Sequence, residues 1–288
     1  MKLALGSVQF GLNYGVANTS GQVSSEVAEA ILQHAQQTGI DTLDTAIAYG
    51  ESESVLGHIG VQAWKVVTKL PAVPDGCADV SQWVKAQAQD SLNRLGLNSL
   101  HGLLLHRPSQ LLEGIGVELY AALHSLKAHG LVANVGVSVY GPAELDALCG
   151  RYAFDLVQAP LNILDRSLVD SGWAQRLKDD GVEVHTRSAF LQGLLLIPKE
   201  KRHAKFERWK DIWSVWDQWL AETGLSPLQA CLRFANALDC IDRVVVGVDN
   251  LAQLEEIIAA AAGMLPSLPQ FKILQDDRLV NPAAWNQL

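Results

Sequence analysis

The stretch Ile40-Asp41-Thr42-Leu43-Asp44-Thr45-Ala46-Ile47-Ala48-Tyr49-Gly50-Glu51-Ser52-Glu53 decides the reading of the whole chain. It begins as a short β-rich run, closes that run on a carboxylate, and passes into a small-residue loop carrying a tyrosine. Just upstream, Ser24–Thr38 sets Val27, Ala30, Ile31 and His34 at helical spacing, with Ser24 or Ser25 suited to cap the helix. The same alternation extends in both directions. Strand-like runs fall at Leu3–Val8, Ile40–Asp44, Trp64–Lys69, His101–His106, Val132–Ser138, Phe154–Gln158, Val182–Arg187 and Ile241–Gly247. Helical patterns separate them at Asp79–Leu95, Val117–His129, Pro142–Leu148, Asp165–Asp180 and Leu225–Leu238. Alternation of this kind implies parallel strands joined by helical crossovers. Eight such units in 288 residues imply a closed α/β structure, the (β/α)8 TIM barrel, in preference to an open doubly wound sheet. No linker or shift in composition interrupts the pattern, so one domain over residues 1–288 is expected.

The longest gap lies between Arg187 and Ile241. It holds a basic stretch, Lys199–Lys205, followed by Phe206, Trp209, Trp213, Trp216 and Leu220 at helical spacing. An extra amphipathic helical segment over about 199–222, packed on the barrel, is expected. The sharper alternative is a substrate lid or subunit contact, since exposed tryptophans mark binding surfaces.

Composition narrows the function classes. Hydrophobic residues make up 49% of the chain, enough for a large core, and the net charge is −9. That balance argues against nucleic-acid and anionic-membrane partners, which demand a basic face. It leaves room for one anionic cofactor in a locally basic pocket. Cys77, Cys149, Cys231 and Cys240 form no CxxC pair and no zinc pattern, so reduced thiols and no metal are expected. The first residues lack a signal-peptide core, and no apolar run reaches the roughly 18 residues of a membrane span. A cytoplasmic location is expected, as a monomer or weak homo-oligomer.

The polar residues at strand ends carry the chemistry. Strand two ends on Asp44, strand three (Trp64-Lys65-Val66-Val67-Thr68) on Lys69, and strand four (Gly102-Leu103-Leu104-Leu105) on His106. In a parallel barrel these ends open on one face, where active sites lie. Each residue alone has a bland explanation: a turn cap, a solvated lysine, a core histidine. Together on adjacent strands they point to a site whose members perturb one another. Tyr49, five residues past Asp44, leans over the same mouth. A phenol's pKa of about 10 is too high for easy proton exchange at neutral pH. A neighbouring ammonium favours the phenolate, a carboxylate beside it keeps the ammonium charged, and a histidine donates a hydrogen bond or relays a proton. Such a group suits protonation of a carbonyl oxygen as hydride arrives at carbon.

Leu43-Asp44-Thr45-Ala46-Ile47-Ala48-Tyr49-Gly50-Glu51-Ser52-Glu53 resembles the signature of the aldo-keto reductases. So do Thr68-Lys69-Leu70, Leu105-His106-Arg107, Val135-Gly136-Val137-Ser138, Val157-Gln158 and the Gly247-to-Leu254 segment, in family order and spacing. The resemblance implies a tetrad of Asp44, Tyr49, Lys69 and His106, with Tyr49 the general acid of carbonyl reduction. It implies that Ser138 and Gln158 contact a nicotinamide carboxamide, and that Gly6, Ser7 and Gln9 lie beneath the cofactor. It implies NADPH, with NADH possible, and no metal.

Three positions depart from the family pattern. Val139 follows Ser138 where relatives carry Asn as a second carboxamide ligand. Arg187 stands at the end of strand seven, where relatives stack an aromatic ring on the nicotinamide. A planar guanidinium can also stack. A one-residue change in alignment would instead leave Arg187 to bind an anionic group of the substrate. Gln253 stands where an arginine commonly holds the 2′-phosphate, with Asp249 close by, which weakens the NADPH preference. Gly247 and the helix N-terminus near Asn250 remain candidates for a cofactor phosphate.

The function these observations imply is NAD(P)H-dependent reduction of a small aldehyde or ketone. The alternative is a nicotinamide-binding regulatory module of the same fold, like the channel-associated relatives, with the 209–219 tryptophans as partner surface. A third reading is an unrelated barrel enzyme using Lys69 as a Schiff-base amine. The short loop Arg107–Gly114 and the short tail Gln275–Leu288 suggest an open pocket for a polar or sugar-like carbonyl, with Trp285 either touching substrate or packed on the barrel wall.

Overall fold

A computed structural model describes residues 2–13, 21–271 and 277–287. Eight parallel strands close into a barrel in sequence order. They are β1 Leu3–Gly6, β2 Thr42–Asp44, β3 Lys65–Leu70, β4 Leu100–Leu105, β5 Val132–Ser138, β6 Leu156–Pro160, β7 Glu183–Arg187 and β8 Arg243–Gly247. Closure comes from β1 against β8, with Leu3 opposite Val244 and Gly6 opposite Gly247. The open doubly wound sheet is thereby excluded. The helices are α1 Val8–Gly11, α2 Ser25–Gln37, α3 Ser52–Ile59, α4 Val80–Leu95, α5 Gly116–Ala128, α6 Pro142–Cys149, α7 Ser167–Asp170, α8 Trp173–Asp179, α9 Lys210–Thr223, α10 Pro227–Asn236 and α11 Leu251–Ala261.

The strand positions follow the sequence reading within a few residues, and the differences have local causes. Hydrogen-bonded pairing runs from Leu156 to Pro160 in β6, so the strand both starts and ends two residues later than expected. Ile40 and Asp41 precede β2, because pairing with β3 starts at Thr42 opposite Lys65. His106 lies one residue past β4, in the loop over the barrel mouth. The expected helix at 165–180 is two pieces, α7 and α8. Gly172 separates them in the left-handed region (φ 82°), a conformation a continuous helix does not accommodate.

Helix α2 shows why periodicity needs the sheet. Ser24 caps it by accepting from the Val27 N–H. Its buried stripe is Ala28, Ile31, Leu32 and Ala35, whereas Val27 is exposed and His34 half-buried. The stripe read from sequence is therefore rotated by about one residue, because small alanines, poor markers of hydrophobicity, face the strands.

The segment past β7 runs as a 3-10 turn, Ala204–Trp209, into α9. Trp209, Trp213, Trp216 and Trp219 are all buried, and the Trp213 indole donates to Phe206 O at 3.0 Å. The tryptophans therefore pack inward and present no lid or partner face. Trp285 is buried too, edge-on to Phe206 with ring centroids 5.1 Å apart, so it packs against the 204–209 turn. Of the expected tail, Gln275, Asp276 and Leu288 lie outside the described residues. All four cysteines are unpaired. Among the described residues no helix is long and apolar enough to cross a membrane, and no cluster of His, Cys, Asp or Glu suits a metal ion.

A polar belt closes the N-terminal end of the barrel. Asp41 accepts from Lys65 Nζ at 2.8 Å and from Arg243 at 3.2 Å. Burial pushes its carboxyl up, but the hydrogen bonds from Lys65 and Thr42 and the Arg243 charge outweigh it and hold the pKa down at about 2. Conserving stability at this end leaves the opposite, C-terminal end for the site.

Candidate active site

The C-terminal ends of the strands surround a cavity of about 620 Å³. Asp44, Tyr49, Lys69 and His106 line it, as do Gly6, Ser7, Gln9, Ser138, Gln158, Arg187, Gly247 and Gln253. Asn250 is the exception among the sequence candidates. It is exposed and heads α11, its side chain accepting from the Gln253 N–H at 2.9 Å, outside the described cavity lining.

Lys69 sits at the centre of the constellation, only 1% exposed. A bare ammonium at that depth would be strongly penalised. Its three N–H donors go to Asp44 Oδ1 at 2.8 Å, Asp44 Oδ2 at 2.7 Å and Thr45 O at 2.9 Å. The carboxylate and carbonyl hold the lysine charged and fixed. A Schiff-base amine must be neutral and reachable, so the lysine-nucleophile reading loses its support. Lys69 Nζ lies 5.2 Å from the centroid of the Tyr49 ring, close enough to act on it as a fixed positive charge. Tyr49 and His106 approach edge-to-face with centroids 6.2 Å apart. Burial lowers the His106 pKa from its ordinary value, and the Lys69 and Arg187 charges lower it further, against an opposing contribution from Asp44. The imidazole is therefore neutral at neutral pH.

The loop that carries Tyr49 is seated by two glycines. A Cβ at Gly11 would come 1.8 Å from the Tyr49 carbonyl oxygen, so only glycine lets α1 approach this loop. Gly50 answers from the other side with a left-handed φ of 57°. Ser52 fastens the same loop to β1. Its hydroxyl lies 2.7 Å from Ser7 Oγ and 3.1 Å from Thr45 Oγ1, and donates to Ser7 O at 2.9 Å. Ser7 is fully buried in these contacts and shapes the cavity wall.

Glu53 ends the motif, and nothing in the sequence assigns it a role. It is a buried carboxylate that accepts from Thr68 at 2.6 Å, Ser91 at 2.7 Å and Arg94 Nε at 2.8 Å. It ties the start of α3 to β3, one residue before Lys69, and to α4. No spacing rule marks such a group, because its partners lie on two other elements, β3 and α4.

On the opposite wall Gln158 Nε2 donates to Asp44 Oδ1 at 2.6 Å, and Ser138 Oγ lies 3.4 Å from Gln158 Oε1. Val139 is fully buried, so no second side-chain amide ligand stands beside Ser138. The loop after β7 also escaped the sequence reading. Ser188, Leu191 and Gln192 adopt positive φ of 65°, 49° and 52°, a conformation that side chains resist, and Ser188, Ala189, Phe190, Gln192 and Gly193 line the cavity. Nothing in non-glycine residues announces that geometry in advance. At α11, Gln253 Oε1 accepts from the Asp249 N–H at 2.8 Å and its Nε2 lies 3.4 Å from Asp249 Oδ2.

Comparison with known proteins agrees with this arrangement. The model of the aldo/keto reductase family matches residues 2–269. An aldo-keto reductase of Mycolicibacterium vanbaalenii is 32% identical over 139 residues, 46% of this chain and 48% of that protein. The chain thus spans about half the length of the mycobacterial relatives it matches. A D-threo-aldose 1-dehydrogenase of a Pseudomonas species is 25% identical over 307 aligned positions, covering 89% of this chain and 90% of its own. The holo form of an aldo-keto reductase from Bacillus halodurans superposes with a TM-score of 0.74 at 20% identity, covering 96% and 95% of the two chains, a likeness of fold. With a closed eight-stranded barrel and a family match over nearly its whole length, this chain belongs to the aldo/keto reductase family.

Proposed function

We propose that the protein is a nicotinamide-dependent oxidoreductase that interconverts a small aldehyde or ketone and its alcohol, with Tyr49 as the proton donor in reduction. The observation that carries this reading is the convergence of Asp44, Tyr49, Lys69 and His106 on one cavity, with Lys69 buried and charge-fixed by Asp44. A bound nicotinamide would supply the hydride. Tyr49 gives its phenolic proton to the carbonyl oxygen. Lys69 stabilises the phenolate left behind, and Asp44 keeps Lys69 charged throughout. His106, neutral, donates one hydrogen bond to the same oxygen and orients it.

The cavity residues suit such a cofactor. Gln9 Oε1 is buried without a partner among the described residues and awaits a donor. Ser138 and Gln158 supply a hydroxyl and an amide matched to a carboxamide, and Gly6 and Gly247 keep the wall low. At the α11 side the described lining is Gly247, Asp249, Gln253, Glu256 and Ile257, with carboxylates and no cation. That side favours a dinucleotide without a 2′-phosphate, so NADH is expected to bind at least as well as NADPH. The regulatory-module reading drew its partner surface from the tryptophan segment, whose rings are buried.

Replacing Tyr49 with Phe tests the assignment. The variant should bind cofactor, by quenching of tryptophan fluorescence, yet lose turnover by about 10²-fold or more. Full activity in that variant would remove Tyr49 from the mechanism.

A further inference from the structure

Arg187 closes β7 and lies in the same cavity as Tyr49 and His106. Among the described residues it makes no ion pair. Its guanidinium is instead held by neutral contacts. Nη2 donates to Val139 O at 3.1 Å, Nη1 lies 3.5 Å from Ser188 Oγ, and the guanidinium carbon stands 4.9 Å from the centroid of the Tyr140 ring. These contacts use one face and part of the edge of the fork, and they fix its place.

Charge accounting singles this group out. Lys69 is neutralised by Asp44, and His106 is neutral. Asp165 is near enough to feel the Arg187 charge, but its Oδ1 accepts from Ser167 Oγ at 2.7 Å and the two residues make no ion pair. Asp249 and Glu256 belong to the α11 side, and Asp249 is bonded to Gln253. Arg187 is thus a half-buried cation that lines the cavity beside the reactive group and forms no ion pair among the described residues. A guanidinium edge matches a planar carboxylate bidentately. One cation without an ion pair balances one negative charge, which fits a carboxylate better than a phosphate dianion.

We propose that Arg187 is the specificity-determining residue of this site, binding the carboxylate of a carbonyl substrate that carries both groups on one small molecule. The inference rests on the oxidoreductase reading above and names its substrate class. Tyr140, 64% exposed with its ring against the guanidinium, braces the subsite at the cavity rim.

The test compares 4-carboxybenzaldehyde with its uncharged isostere 4-formylbenzamide, using wild type, Arg187→Gln and Arg187→Lys. Wild type should prefer the carboxylate in kcat/KM. Arg187→Gln should reduce that preference by about tenfold or more, the loss of a charge-assisted hydrogen bond, and Arg187→Lys should keep part of it. NADH and NADPH affinities, measured on the same variants without aldehyde, should shift far less than the preference does. A wild type indifferent to the charge would overturn the inference. So would equal losses on both aldehydes, or a matching loss of cofactor affinity, which would make Arg187 a cofactor contact. If neither aldehyde turns over, the oxidoreductase reading is what fails. The carboxylate subsite is then decided by equilibrium binding of 4-(hydroxymethyl)benzoate: binding to wild type that Arg187→Gln abolishes supports it, and absence of binding to wild type overturns it.

Discussion

Gln158 donates from its amide to Asp44 at 2.6 Å, although the two residues are 114 positions apart. The same carboxylate oxygen accepts from Lys69 at 2.8 Å. Asp44 is therefore the joint between the tyrosine–lysine side of the cavity and the serine–glutamine side.

Asp44→Asn tests that joint. The amide keeps the shape but leaves Lys69 buried without a counter-charge, and breaking a buried pair costs about 3–5 kcal/mol. Urea denaturation should show a loss in that range, and turnover should fall with it. An unchanged midpoint would mean that Lys69 finds another partner or loses its proton at little expense.

Glu53→Gln separates positioning from chemistry. Glu53 is not among the residues that line the cavity, yet it bonds Thr68, the neighbour of Lys69. Replacing one acceptor oxygen by a donor strands at least one of Thr68, Ser91 and Arg94. A loss of about 1–3 kcal/mol in stability is expected. Because the lysine shifts under Tyr49, kcat should drop while cofactor affinity holds. Equal kcat in variant and wild type would confine Glu53 to a structural role.

His106 sets the acid side of the pH profile. Burial, then Lys69, then Arg187 lower its pKa from the ordinary 6.5. The acid limb of kcat/KM should therefore fall below 6.5, and Arg187→Gln should move it upward by removing a repelling charge. For stability the sign is the same as for any depressed histidine: the unfolded chain takes up the proton first. This contribution is present above pH 6.5 and is lost as pH falls through the folded-state pKa. An acid limb above 6.5 would assign it to another group.

Cofactor choice is open to a direct titration. With Asp249 and Glu256 near α11 and no cation among the described lining there, NADH should quench tryptophan fluorescence at concentrations no higher than NADPH. Gln253→Arg should strengthen NADPH binding about tenfold or more through a charge-assisted pair with the 2′-phosphate. Tighter NADPH binding by wild type would mean that a group outside α11 holds that phosphate.

The barrel was legible in the sequence because its signal is local. Each βα unit repeats the same switch from short apolar run to helical spacing, and eight repeats leave little choice of topology. The strand-end residues Asp44, Lys69 and His106 were legible for the same reason, since parallel strands all present one end to one face. What the tertiary structure alone decided depends on partners far apart in the chain. It set the buried network of Glu53, the clasp of Gln158 on Asp44 and the left-handed loop Ser188–Gly193. It also turned the tryptophans of 209–219 inward and placed Arg187, with no ion pair among the described residues, in one cavity with Tyr49 and His106. Periodicity tells which residues face the barrel; only the closed barrel brings opposite walls within hydrogen-bond distance, and there charge and desolvation decide what each residue does.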